Sequence, residues 1–328
     1  MDDSSIVTQL AGAFELGEPL ASAKVADGNS PVFRLRTSRG TFLIKSADRT
    51  PTGWPELYHR VEQTLNAHGV RQARILSTLG GTFVSHEGYL AFEWLPGRTV
   101  DLPSPEQFAD HVEHLAHYNR ALRRVPLTAE EISRLTVPKD IWSRAACLDY
   151  MIDQFRLDPL GLGLTDETTA IVLRVLSVLG QWRPRLAHLP RQLVHSDIGP
   201  GNILFDGDRV VSIIDFTPAC ESHLYALCMS LFWHCVFGQS EPEARQRIAA
   251  AASLYVRCHD TSAEERCCFF PLLLKSAAFR VFARLLARAE SGLDREAPPF
   301  HPGSTERMVG CVERILGWEE LLTNPSAT

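Results

Sequence analysis

Short apolar runs bounded by turn residues alternate in this chain with longer segments of helical spacing. Pro31–Thr37 and Thr41–Ser46 flank Ser38-Arg39-Gly40, which predicts a β-hairpin. Trp54-Pro55-Glu56 opens a predicted helix: Pro55 suits a first turn, Leu57, Val61 and Leu65 recur at helical spacing, and Gly69 can end it. Gly88–Leu95 reads as a buried strand stopped by Pro96-Gly97. Beyond it, Ser104-Pro105-Glu106-Gln107 has N-cap and first-turn chemistry, and Phe108, Val112, Leu115 and Leu122 lie on one face of the helix it starts. The chain then stays mainly helical to about Pro190. Three short runs follow, Gln192–His195, Ile203–Phe205 and Val210–Ile214, the last two joined by the tight-turn signal Asp206-Gly207-Asp208. Pro271–Glu290 predicts a long helix that is apolar over much of its surface.

Length and composition narrow the class. A chain of 328 residues, 45% of them hydrophobic, exceeds one compact domain and predicts two lobes. The net charge of -6, with no basic cluster, argues against a nucleic-acid partner. No apolar run is long enough to span a bilayer, and Met1-Asp2-Asp3-Ser4-Ser5 lacks signal-peptide chemistry, so no membrane partner and a cytoplasmic location are expected. The 8 cysteines include no C-x-x-C pair and read as reduced core residues.

The candidate chemistry sits on the three short runs. His195-Ser196-Asp197-Ile198-Gly199-Pro200-Gly201-Asn202 is followed by Ile213-Ile214-Asp215-Phe216, and the intervening hairpin brings Asn202 and Asp215 to the same open end. Hard oxygen donors of this kind suit magnesium. Singly, each Asp or Asn could merely cap a turn; their joint spacing and strand context favour a site. His195, beside an apolar run, is expected to hold the turn by hydrogen bonds.

This segment resembles the catalytic region of the aminoglycoside phosphotransferase, choline kinase and type II homoserine kinase superfamily. Ile213-Ile214-Asp215-Phe216-Thr217-Pro218-Ala219-Cys220, leading into Leu224-Tyr225, is most similar to the homoserine-kinase-like branch. The resemblance implies an α+β, bilobal protein-kinase-like fold with a small antiparallel-sheet N-lobe and a larger, mainly helical C-lobe. Residues 1–95 would form the nucleotide-binding lobe ending at the hinge, and residues 96–328 the lobe carrying the catalytic loop and acceptor pocket. The implied activity is transfer of the γ-phosphoryl group of ATP, or GTP, to a hydroxyl of a small molecule: an aminoglycoside or other antibiotic, an amino alcohol such as homoserine, or a related metabolite. Asp197 would be the base, with Mg2+ held by Asn202 and Asp215.

The same resemblance places the nucleotide contacts. Lys45, in Thr41-Phe42-Leu43-Ile44-Lys45, is similar to the kinase strand lysine that binds the α- and β-phosphates. Gly28, Asn29 and Ser30 could offer backbone N–H groups to phosphate. Glu93, Trp94 and Leu95 fall at the hinge, where backbone would read the nucleotide base. The acidic helix position that orients the lysine falls on or near Tyr58, so Glu56 or Glu62 substitutes or the ion pair is absent; Glu56 lies nearer the phosphate end. Ala226 stands where relatives carry an acid that braces the catalytic loop. These two departures support an alternative, a catalytically silent kinase-fold module for nucleotide binding or interaction. Arg280, Arg284 and Arg288, spaced four apart, could meet a carboxylate or phosphate, although a solvated or salt-bridged stripe is the commoner outcome.

Overall fold

The structure, a computed structural model, describes residues 3–26, 32–48, 50–136, 141–155, 165–237, 239–291, 302–319 and 322. In chain order, α1 (Asp3–Ala13), β1 (Pro19–Ala26), β2 (Val32–Thr37), β3 (Gly40–Ser46), α2 (Trp54–Ala67), β4 (Ile75–Leu76) and β5 (Tyr89–Glu93) come first. Helices α3 (Pro105–Leu122), α4 (Ala129–Thr136), α5 (Ile141–Ala146), α6 (Leu148–Phe155) and α7 (Asp166–His188) follow. Next are β6 (Gln192–His195), a 3₁₀ turn (Pro200–Asn202), β7 (Ile203–Asp206), β8 (Arg209–Ile213) and β9 (Pro218–Glu221). The chain continues through α8 (His223–Leu231), a π-helical turn (Phe232–Val236), α9 (Glu241–Cys258), α10 (Ala263–Cys267), α11 (Phe269–Ser291) and α12 (Pro302–Leu316). These elements form two compact units, one of Met1–Val100 with Ile203–Phe216, the other of Asp101–Asn202 with Thr217–Thr328.

The first unit is built on an antiparallel sheet of order β1-β2-β3-β5-β4. The expected hairpin is β2–β3, closed where Thr37 pairs with Gly40. Its inward side chains Leu35 and Ile44, with Ala91 of β5, bury against Val7, Leu10, Ala11, Phe14 and Leu16. Burial of each large apolar side chain contributes roughly 1.5–3 kcal/mol. The periodicity did not point to α1 or β1, yet α1 covers this face of the sheet. Strand β5 is shorter than Gly88–Leu95: its ladder with β3 runs from Ser46↔Tyr89 to Phe42↔Glu93. The β7–β8 hairpin also belongs to this unit, tied to it by the reciprocal backbone bonds Arg98 N to Phe205 O, 2.9 Å, and Phe205 N to Arg98 O, 2.8 Å.

In the second unit α11 is buried around nearly its whole circumference, with Phe270, Leu273, Leu274, Ala277, Ala278, Val281, Phe282 and Leu285 all close to zero exposure. A helix apolar on every side belongs inside its domain, and here it packs against α5, α7, α8 and α12. β6 pairs with β9 from Gln192↔Glu221 to His195↔Pro218, which anchors both ends of the candidate loop. The start of α8 is locked by a buried hydrogen-bond chain: His223 Nε2 lies 3.0 Å from Glu265 Oε1, His223 Nδ1 lies 3.1 Å from Tyr255 Oη, and Asn119 Nδ2 donates to Tyr255 Oη at 2.9 Å.

The cysteines depart in part from the expected core role. Cys220, Cys228, Cys235, Cys268 and Cys311 are buried, but Cys267 is exposed and Cys147 and Cys258 are intermediate. Helix periodicity, not thiol chemistry, sets this: Cys267 ends the short exposed helix α10. Among the described residues no helix is long and apolar enough to cross a membrane.

Candidate active site

β6 ends at His195, whose ring is fully buried and whose Nδ1 accepts from the backbone N–H of Asp197 at 3.1 Å and of Thr217 at 3.4 Å. Ser196 N donates to Thr217 O at 2.9 Å. His195 thus holds the turn as expected, with Nδ1 the acceptor nitrogen. The side chain of Asp197 is 47% exposed, and Asn202 Nδ2 donates to its backbone oxygen at 2.8 Å and to Oδ2 at 3.3 Å. Asn202 and Asp197 are therefore brought together. Asp197 lines an opening of ≈ 540 Å³ with Asp101, Gly199, Trp233 and Phe237. The loop packs closely on Trp233: a Cβ at Gly199 would touch the indole at 3.4 Å. Trp233 reaches this place from the π-helical turn after α8, a distortion often found at functional sites.

Asp215 follows β8 with φ of 54°, the left-handed region that Asp and Asn enter more readily than most residues. Its Oδ1 lies 2.5 Å from Lys45 Nζ, on the neighbouring part of the same unit. Lys45 and Asp215 are thus brought together. Glu56 is exposed in the first turn of α2 and forms no ion pair with Lys45; Glu62 is buried and lies 3.0 Å from His59 Nδ1. The carboxylate partner of Lys45 is Asp215 rather than a helix glutamate. Tyr58 explains why an acid is absent at its position. Its ring stacks on Trp54 at 4.9 Å and meets Phe92 edge-on at 5.3 Å, while its hydroxyl donates to Ala73 O and accepts from Gln72 Nε2. An ionised carboxylate in that aromatic cluster would be desolvated without compensation. The same helix steadies the Asp215-Phe216 turn, since Trp54 Nε1 donates to Phe216 O at 3.2 Å.

At the end of β5, the backbone N–H of Glu93 donates to Arg74 O at 2.9 Å and that of Trp94 to Thr41 O at 3.2 Å. Among the described residues Leu95 N–H has no such backbone partner. The Glu93 carboxylate pairs with Arg74 at 3.2 Å and Arg71 at 3.8 Å. Gly28, Asn29 and Ser30 lie outside the described residues.

Sequence reasoning under-read Arg280. It is 8% exposed, stands 3.6 Å through Nη2 from Asp197 Oδ1, and covers the Trp233 ring at 4.3 Å. Burial pushes its pKa down to about 10, against the opposing pull of Asp197. Arg284 is partly buried and donates to Arg280 O at 3.0 Å, and the Arg288 side chain lies outside the described residues. Arg280 is thus a buried partner of Asp197 rather than a member of a solvated stripe. The available signal was its place in the middle of a long helix that is apolar over much of its surface. Ala226 is fully buried in the apolar face of α8, so the position of the usual acid is filled by packing.

The profile of the phosphotransferase enzyme family matches residues 23–270. The chain belongs to this family. It is similar to the homoserine kinase of Rhodopseudomonas palustris (strain ATCC BAA-98 / CGA009), 27% identical over 287 residues that cover 81% of this chain and 79% of the relative. Among solved structures it is similar to amicoumacin kinase hAmiN in complex with AMP-PNP, Ca2+ and Ami, with TM-score 0.67, 14% identity and coverage of 95% and 93% of the two chains. A choline/ethanolamine kinase family protein from Mesorhizobium loti gives TM-score 0.65 at 15% identity, over 100% and 99% of the chains. The fold is protein-kinase-like, an α+β architecture with a small antiparallel sheet and many helices, and the phosphotransferase is a small-molecule kinase.

Asn202 uses its amide nitrogen on Asp197, which leaves its oxygen as an end able to accept a cation such as magnesium. In the other unit Asp215 carries a carboxylate of the same hard-donor kind. Among the described residues no group of three or more His, Cys, Asp or Glu gathers as a cage. Magnesium needs none, since it keeps several waters and commonly uses one or two protein ligands with substrate phosphates.

Proposed function

We propose that this kinase moves the γ-phosphoryl group of ATP, or GTP, to a hydroxyl of a small molecule, with Asp197 as the base. The observation that carries this reading is the clamp on Asp197: its N–H bonds His195, Asn202 bonds its main chain and carboxylate, and the carboxylate still faces an opening. A carboxylate oriented from two sides and left accessible suits an acceptor hydroxyl better than a turn cap, which would spend its oxygens on backbone N–H groups.

In this reading residues 1–95 supply the nucleotide contacts and residues 96–328 the acceptor side. Lys45 turns from Asp215 to the α- and β-phosphates, and the hinge segment Glu93-Trp94-Leu95 meets the base, with Leu95 N–H as a donor. Gly28, Asn29 and Ser30 supply backbone N–H groups to phosphate. Asn202 and Asp215 would hold Mg2+, which neutralises phosphate charge. Asp197 takes the hydroxyl proton as the acceptor oxygen bonds phosphorus and the bond to the departing nucleoside diphosphate breaks. The transition state is loose, so positioning and charge neutralisation supply most of the acceleration.

A panel of small alcohols, amino alcohols, hydroxy acids and aminoglycosides, assayed for magnesium-dependent ADP release with phosphorylated product identified by mass, tests the reading. Transfer to at least one hydroxyl is expected. Magnesium-dependent nucleotide stabilisation with no transfer to any acceptor would instead establish the silent module.

A further inference from the structure

Arg280 stands in a stretch of α11 whose neighbours Ala277, Ala278, Val281 and Ala283 are apolar and close to zero exposure. The buried Lys275 on the same helix has a carboxylate within hydrogen-bond distance, Glu221 Oε1 at 2.7 Å. Arg280 has none: among the described residues its Nε and Nη2 are buried without a hydrogen-bond partner, and Asp197 Oδ1 stands 3.6 Å away. Burial lowers its pKa to about 10, so it stays charged at neutral pH. A buried charge with unpaired donors costs stability, and an apolar side chain of similar volume commonly serves a fold as well or better. Folding therefore does not explain the guanidinium.

Asp197 supplies the explanation. Its side chain is half-exposed on the wall of the opening, where water alone would leave the carboxylate free to exchange rotamers. Asn202 Nδ2 reaches one of its oxygens, Oδ2, at 3.3 Å, and Arg280 faces the other. Arg280 is not among the residues that line the opening, whereas Trp233, whose ring lies 4.3 Å from the guanidinium, is. Trp233 thus covers the charge, and a charge shielded from water acts more strongly on its neighbour than one in solvent. We propose that Arg280 is a positioning residue: its buried charge holds the Asp197 carboxylate in the orientation that takes the acceptor's hydroxyl proton, without itself touching the acceptor.

This deepens the proposed function and rests on its reading of Asp197 as the base. The separation of 3.6 Å exceeds a hydrogen bond, so charge rather than the planar fork carries the effect, and a lysine can replace it in part. A neutral side chain at the same position leaves the carboxylate held at one oxygen only. Because the guanidinium works through Asp197, its removal loses its effect once the carboxylate is gone.

The test is a double-mutant cycle in the full chain, with Arg280→Met, Asp197→Asn and the two combined, and with Arg280→Lys alongside. Transfer from ATP and magnesium to L-homoserine, 2-aminoethanol or kanamycin is followed by ADP release, and the acceptor that the wild-type chain turns over fastest is kept for every variant. Arg280→Met should lower kcat about 10- to 100-fold, the scale of a misplaced reacting group, with the acceptor KM near that of the wild type. Arg280→Lys should recover most of that loss. In the Asp197→Asn background Arg280→Met should change kcat by less than about twofold. Wild-type kcat in Arg280→Met, a loss confined to KM, no recovery by Arg280→Lys, or an undiminished effect in the Asp197→Asn background overturns the positioning role. Should Arg280→Met not fold, Arg280→Gln replaces it, and failure of both to fold overturns the proposal by assigning the guanidinium to the fold. Turnover by Asp197→Asn at the wild-type rate, or no turnover of any acceptor by the wild-type chain, is instead a failure of the proposed function. Crystal structures of the wild type and Arg280→Met then decide the positioning: the same Asp197 rotamer in both removes it, and a displaced carboxylate in Arg280→Met upholds it.

Discussion

Lys45 Nζ lies 2.5 Å from Asp215 Oδ1, so the proposed phosphate-binding lysine is neutralised by the proposed metal ligand in the protein alone. The side chains are 31% and 52% exposed, and a pair this open to solvent contributes little stability. Its value is then functional. Lys45→Met and Asp215→Asn should each cut phosphoryl transfer by about 10²–10³, the scale of losing one preorganised electrostatic group. Thermal denaturation should shift by no more than about 0.5 kcal/mol, as for other exposed sites. Asn is a fair probe at position 215 because it tolerates the left-handed backbone there. Initial rates and melting curves on the same preparations check both halves, and a large loss of stability would mark the pair as structural.

Asp197→Asn keeps shape and removes the base. A fall of about 10²–10⁴ in kcat is expected, with nucleotide-dependent stabilisation retained. Turnover at the wild-type rate would remove Asp197 from the mechanism.

Asn202→Ala removes two bonds to Asp197 and one candidate metal oxygen together. The magnesium concentration for half-maximal rate should rise, and kcat should fall at saturation. A rate loss with an unchanged magnesium requirement would confine Asn202 to positioning Asp197.

Gly97 has φ of 130°, and a Cβ there would stand 3.1 Å from Leu204 Cβ and 3.2 Å from Phe205 O. Gly97→Ala should cost about 1–3 kcal/mol of stability through backbone strain and this close approach. Urea denaturation measures it, and an unchanged midpoint would show that the segment relaxes freely.

Acid should loosen the unit that carries α8. His234 is fully buried with neither ring nitrogen hydrogen-bonded, and burial pushes its pKa from 6.5 down to about 4. Burial, reinforced by His234 and His114, also pushes His111 well down. In the window between the two His234 values the unfolded chain binds a proton that the folded chain refuses, so stability falls as pH drops from about 6.5 to about 4. His234 alone accounts for roughly 3 kcal/mol across that window. His234→Phe should flatten the fall in melting temperature over this range; an identical pH profile would assign the acid sensitivity elsewhere.

Much of the candidate site was legible because it is local. Turn chemistry at Asp206-Gly207-Asp208 and the β-branched run before Asp215 predict a hairpin, and the hairpin is there as β7–β8. His195 was expected to brace its own turn and does so through a nitrogen only two residues from its target. The Ser104-Pro105-Glu106-Gln107 signal likewise became a capping box on α3. Helix α1 was not legible, because its apolar positions acquire meaning only against the sheet they cover.

By itself the chain's order of residues indicated many of the elements and turns and the spacing of Asp197, Asn202 and Asp215, since these depend on neighbours a few positions apart; Lys45 was singled out by the family resemblance. Only tertiary structure decided that Lys45 pairs with Asp215 rather than with Glu56, that Tyr58 belongs to an aromatic cluster, and that Arg280 stands beside Asp197. The physical reason is that a helix buried on every side, such as α11, has no amphipathic stripe to show which face meets which neighbour. Arg280 on that helix acquires its partner Asp197 only when folding sets it against a distant loop.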